Sequence, residues 1–201
     1  MTRVVSLLDR GMIREAAGVL GRAFRDDPIV VAILEDVAPE IRVKRLSVMF
    51  AADLKTCARR GLPLQVSESD SIACAAIVYP PGAYPLPTSA QLGILLKSVV
   101  RNGVYGLGRW LTVLGRFEKR HPKDTHYYLE FIGVDPIQQG KGLGSSLLDD
   151  LSSRADQERV GCYLETSNAR NVPLYQRFGY ETVAEEEILG VNNWFMWRSP
   201  A

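Results

Sequence analysis

In residues 12–24, apolar side chains recur every three or four positions, which is the spacing of an amphipathic helix. Pro28 separates this helix from the next, because a proline disfavours helical geometry in the residue before it. A short helix is predicted over 29–34 and a long one over 39–61, the latter with proline at its start and glycine at its end. A first strand is predicted ahead of all three, over 3–8.

After residue 61 the pattern changes to short apolar runs separated by turns. Strands are predicted over 62–68 and within 71–82, joined by a polar turn, and helices are predicted within 85–122. The rest of the chain alternates, with strands over 126–134, 162–167, 180–189 and 193–198 and helices over 142–157 and 172–178. This order predicts a mixed α/β sheet in one domain that covers residues 1–201.

Composition argues against several classes of protein. The 201 residues carry a net charge of +1, so no general attraction to nucleic acid or to an acidic membrane is predicted. The three cysteines are scattered and there are only two histidines, so neither a disulfide framework nor a metal site is predicted. No signal peptide is evident, and every apolar run is broken well before the about 18 residues that a membrane span needs. We expect a cytoplasmic protein without nucleic-acid or membrane partners, and either a monomer or a homodimer.

The stretch FIGVDPIQQGKGLGSSLLDDL, residues 131–151, leads from a predicted strand through three glycines in five residues into a predicted helix. Such a loop exposes backbone N–H groups at the positive end of the helix dipole, where a phosphate or pyrophosphate binds. A Walker A loop does not fit, because Lys141 is followed by Gly142. The dinucleotide fingerprint does not fit either, because Ser145 stands where its third glycine belongs.

A third pattern, [QR]-x-x-G-x-[GA], is satisfied by Gln139, Gly142 and Gly144. Together with the downstream LETSNARNVPLYQRFGYE, it resembles the Gcn5-related N-acetyltransferase (GNAT) superfamily. The resemblance implies an α/β fold with a mixed, mostly antiparallel central sheet of six to seven strands flanked by helices. It also implies acetyl-CoA as the cofactor and a helical insertion over 85–122 before the cofactor-binding strand. The segment AFRDDP and the long helical middle resemble the branch that contains puromycin acetyltransferase.

The resemblance implies cofactor-binding residues one by one. Main-chain groups of Ile132 and Val134 would pair with the pantetheine arm, and Gly133 between them marks either this close approach or a packing position. Gln139 would orient the loop, and Asn168 would bond the pantetheine arm. The pyrophosphate would be held by N–H groups of the loop and first helical turn, which comprise Gly140, Lys141, Gly142, Leu143, Gly144 and Ser145. A solvated side chain is the alternative for the lysine.

Asn171 is the last of the predicted cofactor-binding residues, and its place in the sequence also suits a helix cap. It would cap the predicted helix over 172–178 and place Pro173 in the first turn, where the missing proline N–H is harmless. Gly179 would end the same helix. GNAT proteins often have a small apolar residue at this position, and Asn171 departs from that pattern.

Glu130 and Tyr175 are the candidate catalytic residues. Glu130 interrupts an apolar strand, where a carboxylate is costly unless it is paired or functional, and it can remove a proton from an attacking amine directly or through a water. Strand alternation predicts that Glu130 shares a face with Ile132 and Val134. Tyr175, which matches the family's tyrosine in spacing, can donate a proton to the leaving thiolate. The alternatives are a salt-bridged or a rim glutamate for Glu130 and a core aromatic on a short amphipathic helix for Tyr175.

Segment 85–122 is apolar on one side and basic on the other, which favours a solvated helix face over a core and leaves a membrane or calmodulin-like partner as the alternative. Its place in the chain would let it wall the acceptor site. The combined prediction is direct acetyl transfer from acetyl-CoA to a primary amine of a small molecule. Three alternatives stay open: a protein or peptide amine as acceptor, a non-catalytic acyl-CoA-binding module, and a nucleotide-binding protein that uses the same loop.

Overall fold

The computed structural model describes residues 4–102 and 106–201, and for residues 95 and 97–102 it describes the backbone only. The helices and strands follow in the order β1 (Val5–Leu7), α1 (Ile13–Ala23), α2 (Pro28–Ile33), α3 (Pro39–Arg60), β2 (Leu62–Glu68), β3 (Ser71–Tyr79), α4 (Thr88–Asn102), α5 (Leu107–Arg120), β4 (His126–Val134), α6 (Leu143–Glu158), β5 (Gly161–Thr166), α7 (Val172–Arg177), β6 (Glu181–Ile188) and β7 (Val191–Arg198). Each of these elements lies within a few residues of its prediction from the sequence.

The seven strands form one sheet in the order β1-β2-β3-β4-β5-β7-β6. All neighbouring strands are antiparallel except β4 and β5, which are parallel. The pairing of β4 with β5 extends only from His126↔Gly161 to Leu129↔Leu164, although both strands continue beyond those pairs. The sheet therefore opens between β4 and β5 at their carboxyl ends. The predicted mixed, mostly antiparallel fold is confirmed.

Helices cover both faces of the sheet and bury two apolar cores. Helices α1, α2 and α3 pack on one face around fully buried side chains such as Phe50 and Tyr79. Helix α6 covers the other face, where Leu147 and Leu151 meet the apolar residues of β3, β4 and β5. Within residues 4–102 and 106–201, no helix combines the length and the apolar character that crossing a membrane requires.

The predicted basic face of segment 85–122 is only partly solvated. Arg116 donates to Glu186 at 2.7 Å and Arg120 donates to the same carboxylate at 2.9 Å, so α5 is attached to β6. Arg109 pairs with Glu35 and donates to the carbonyl of Ala32, which attaches α5 to the end of α2. Two further members of the predicted face, Lys97 and Arg101, have side chains outside the described part of the chain.

Candidate active site

A cavity of about 300 Å³ lies where β4 and β5 separate. Its wall combines residues of both strands with residues of α2, α3, α4, α5 and α7. Ile94 of α4 and Trp110 and Phe117 of α5 contribute to it. The two helices predicted from segment 85–122 therefore form part of the wall. This size falls at the lower end of small-molecule pockets.

Glu130 lies in this cavity because β4 carries a bulge. The register with β3 runs Ile77↔Phe131 and then Val78↔Leu129, so Glu130 is the extra residue. The prediction from strand alternation that Glu130 shares a face with Ile132 and Val134 is wrong. Those two side chains pack in the core under α6, whereas Glu130 lies on the α3 face of the sheet beside Asp53.

Three carboxyl groups meet in the cavity, those of Glu130, Asp53 of α3 and Glu165 of β5. Burial raises the pKa of Glu130 well above its ordinary value, and the charges of Asp53 and Glu165 raise it further. Burial likewise raises the pKa of Asp53 to about 7 and that of Glu165 to about 8. Since Oε2 of Glu130 is buried without a hydrogen-bond partner, the alternative of a salt-bridged or a rim glutamate does not fit. The hydroxyls of Tyr128 and Tyr163 partly offset the effect of burial on the pKa of Glu165.

Tyr175 of α7 also lines the cavity and is almost fully buried. Burial raises its pKa above the ordinary tyrosine value, and the charge of Asp27 raises it further. The phenol therefore stays protonated at neutral pH. Asp27 is another carboxyl group of the wall; it caps α2 by accepting from the N–H of Ile29 at 3.2 Å, and burial raises its pKa to about 6.

The glycine-rich loop presents backbone at the N-terminus of α6. Gly140 and Gly142 both have φ of 78°, a left-handed conformation that favours glycine. Gly142 is the N-cap of the 16-residue α6, whose first N–H groups have no intrahelical acceptors. The side-chain amide of Gln139 donates to the carbonyl of Val134 at 3.4 Å and so ties the loop to β4. Lys141 forms an ion pair with Glu68 at 3.2 Å.

The structure specifies the contacts of Gly133, Asn168 and Asn171 more closely than the sequence does. A Cβ at Gly133 would lie 2.8 Å from Cβ of Ala23, so this glycine lets α1 pack closely on β4. The predicted side-chain cap by Asn171 is wrong: its side chain makes no capping hydrogen bond and lines the cavity instead. Asn168 caps the 3₁₀ turn Ala169–Asn171, which lies just before α7, by accepting a hydrogen bond from the N–H of Arg170 at 3.1 Å. Gly179, with φ of 82°, follows α7 as predicted.

Sequence reasoning missed four carboxyl groups of the wall, those of Asp27, Asp53, Glu118 and Glu165. The signal for Glu165 was present, because it interrupts the apolar run of its strand just as Glu130 does. Asp53 stands between the buried residues Ala52 and Leu54 of α3, which is an unusual position for an acid. Asp27 precedes Pro28 at the start of α2, a position that indicated only a helix boundary from the sequence.

Comparison with known proteins agrees with the arrangement. The acetyltransferase (GNAT) family matches residues 106–180. An uncharacterized N-acetyltransferase of Schizosaccharomyces pombe is 27% identical over 175 residues, which cover 83% of this chain and 70% of that protein. The structure of the Corynebacterium glutamicum protein described as histone acetyltransferase HPA2 and related acetyltransferase has a TM-score of 0.71 at 21% identity, covering 100% of this chain and 98% of that one.

A more distant solved structure shares the fold with a cofactor bound. This is the PaiA N-acetyltransferase of Thermoplasma acidophilum in complex with coenzyme A, with a TM-score of 0.60 at 9% identity over 99% of both chains. The likeness of these structures concerns the fold, and the family match covers β4, the glycine-rich loop, β5 and α7. Residues 106–180 therefore resemble the acetyltransferase (GNAT) family, and the whole chain shares its fold with solved acetyltransferase structures.

Proposed function

We propose that the protein transfers the acetyl group of acetyl-CoA directly to a primary amine of a small molecule. The observation that carries this proposal is the cavity at the opening between β4 and β5, which holds both Glu130 and Tyr175. Helices α4 and α5 contribute to the wall of this cavity. Its volume of about 300 Å³ suits a small acceptor better than a folded protein surface. The likeness to the branch that contains puromycin acetyltransferase stays a prediction.

The residues around the opening suit a coenzyme A thioester. The N–H groups of the first turn of α6 and the left-handed Gly140 and Gly142 form a cradle for pyrophosphate. The edge of β4 from Glu130 to Val134 has no β5 residue paired to it, so main-chain groups of Ile132 and Val134 can pair with a pantetheine arm. Asn168 and Asn171 follow β5 in the chain, and Asn171 lines the cavity. Acetyl-CoA would supply the activated acetyl group.

Glu130 takes the role of general base in this proposal. An alkylamine is mostly protonated at pH 7, since its pKa lies near roughly 10, and only the neutral amine attacks a thioester. The raised pKa of Glu130 brings its basicity closer to that of the amine than an ordinary glutamate would come, which favours proton transfer from the ammonium. Deprotonated Glu130 then accepts the proton directly or through a water.

Tyr175 takes the role of general acid. It lies in the wall on the α7 side, with its hydroxyl protonated at neutral pH. A thiolate has an ordinary pKa of about 8.5 and leaves more readily when a proton is delivered to it. Tyr175 can make this delivery as the thioester bond breaks.

Calorimetric titration with acetyl-CoA, with ATP and NAD as controls, tests the cofactor. A screen of primary amines for thiol release then tests the chemistry. Binding of acetyl-CoA together with thiol release for at least one amine is the expected result. Binding without turnover of any amine would favour a non-catalytic acyl-CoA-binding module, and turnover of peptide amines alone would favour a protein acceptor.

A further inference from the structure

The cavity contains more carboxyl groups than the proposed reaction needs. Its described wall carries five, those of Asp27, Asp53, Glu118, Glu130 and Glu165, against a single guanidinium, that of Arg45. His121 adds no positive charge at neutral pH, because burial and the neighbouring His126 lower its pKa to about 4. The space is therefore acidic, although the net charge of the whole chain is only +1.

Four of these carboxyl groups fall into two sets. Asp27 acts electrostatically on Tyr175, at the α7 side of the cavity. Asp53 and Glu165 act on Glu130, at the α3 side. The proposed reaction uses one base and one acid, so Asp53 and Glu165 are left without a chemical role.

Neither of these two carboxylates has a cationic partner within the described residues. No ion pair there joins Asp53, Glu130 or Glu165 to a lysine or arginine. Asp53 is only 7% exposed, accepts no hydrogen bond from the described residues and lines the cavity. Burying an ionised acid in this way is costly, so the acid either keeps its proton or needs a ligand that compensates its charge.

The rest of the wall is suited to an organic cation. Tyr84, Trp110 and Phe117 contribute aromatic rings to it, and aromatic faces attract ammonium groups. Leu86, Ile94 and Leu114 supply aliphatic surface for a hydrocarbon chain. A ligand with charged ends and an apolar middle matches this distribution.

We propose that the acceptor is a diamine or polyamine, an inference that rests on the proposed function. One amine of the acceptor reacts between Glu130 and Tyr175, and a second ammonium binds Asp53 and Glu165. A monoamine would leave the second pair of carboxyl groups without a counter-ion. Without a ligand the three acids coexist because their raised pKa values let them retain protons. A bound dication would stabilise their charged forms and lower those pKa values.

The test compares 1,5-diaminopentane with n-hexylamine, two probes of similar length that differ in one terminal ammonium. We expect kcat/KM for the diamine to exceed that for the monoamine by at least about tenfold, which corresponds to roughly 1.4 kcal/mol. Asp53→Asn should lower this ratio by at least about fivefold. The matched control Glu187→Gln, which removes one exposed charge from β6, should leave the ratio unchanged.

Each result has a distinct meaning. Equal kcat/KM for both probes would overturn the diamine proposal and leave the proposed acetyltransferase function standing. An equal loss for both probes in Asp53→Asn would overturn the role of Asp53 as the second ammonium site. If neither probe is acetylated although acetyl-CoA binds, calorimetric titration of the two probes decides: tighter binding of the diamine supports the inference, and equal or absent binding overturns it.

Discussion

The cofactor side and the acceptor side of this site are built in different ways. The side proposed to bind the cofactor consists mainly of backbone: left-handed Gly140 and Gly142, the N-terminus of α6 and the unpaired edge of β4. The acceptor side consists of side chains gathered from α2, α3, α4, α5, β4, β5 and α7. A backbone site for a common cofactor can be encoded in a short contiguous stretch, whereas an acceptor pocket needs residues from distant parts of the chain.

The comparison implies that substitutions on the two sides affect different measurements. Changes on the cofactor side should alter the dissociation constant of acetyl-CoA, and changes on the acceptor side should alter the kinetics of the amine. The five predictions below use this separation.

Glu130→Gln is expected to have the largest effect, because it removes the proposed base while keeping the shape of the side chain. We expect kcat to fall by about 10²–10⁴ with acetyl-CoA affinity nearly unchanged. Steady-state kinetics and calorimetry measure the two quantities. Asp27→Asn is the matched comparison, since asparagine also caps a helix. A larger loss of kcat in Asp27→Asn than in Glu130→Gln would move the base assignment to Asp27.

Tyr175→Phe removes the proposed acid and should lower kcat by about 10–100-fold. The substitution should affect the departure of the thiolate and not the binding of acetyl-CoA. The dissociation constant of acetyl-CoA should therefore stay within about twofold of the wild-type value. Tyr180→Phe is the control, since Tyr180 is a buried tyrosine of the neighbouring core that does not line the cavity. Unchanged turnover in Tyr175→Phe would contradict the role of this residue as general acid.

Gly142→Val tests the cofactor side. A β-branched residue at a φ of 78° is strained by roughly 1–2 kcal/mol, and its side chain crowds the loop, so acetyl-CoA binding should weaken by about tenfold or more. Gly144→Ala is the control, because a Cβ there makes only an ordinary 3.5 Å contact with Val134. Calorimetry measures both. Equal affinity in the Gly142→Val protein would mean that this loop does not bind the cofactor.

Trp110→Ala tests the acceptor side. Loss of this ring from the cavity wall should raise the KM of an accepted amine by roughly tenfold, the size expected for removing a partly desolvated cation–π contact. The dissociation constant of acetyl-CoA should not change. A parallel loss of acetyl-CoA affinity would break the proposed separation of the two sides.

Asp53→Asn should increase the free energy of unfolding, and this increase should become larger as the pH rises. The folded protein retains the proton of Asp53 up to a pKa of about 7, whereas the unfolded chain releases it near an ordinary pKa of about 4. The folded state therefore loses stability as pH rises between these two values. Asparagine cannot ionise, so the variant avoids this loss. We expect its advantage over the wild type to grow by about 3–4 kcal/mol between pH 4 and pH 8, the size that linkage gives for a pKa difference of about three units.

Thermal unfolding at the two pH values measures the change in this advantage. Any constant cost of burying the asparagine amide cancels, because only the difference between the two pH values is used. Glu187→Gln again serves as the control, since Glu187 is exposed. An advantage that does not change with pH would show that Asp53 ionises in the folded state as readily as in the unfolded chain.

The helices and strands, the mixed sheet and the glycine-rich loop could be predicted from the sequence alone. These features depend on periodicity, on prolines and glycines at boundaries and on a contiguous motif, all of which are local. The end of α7 at Gly179 and the entry into α6 at Gly142 illustrate this, because a left-handed residue is needed there irrespective of the tertiary contacts.

Only the tertiary structure decided which side chains face the cavity. The bulge in β4 reverses the side on which Glu130 lies, and strand alternation cannot reveal one extra residue. The packing of α3 on the sheet brings Asp53 to Glu130, and the limited pairing of β4 with β5 brings Glu165 there. The raised pKa values of these groups follow from burial and mutual repulsion, which exist only once segments distant in sequence have packed together.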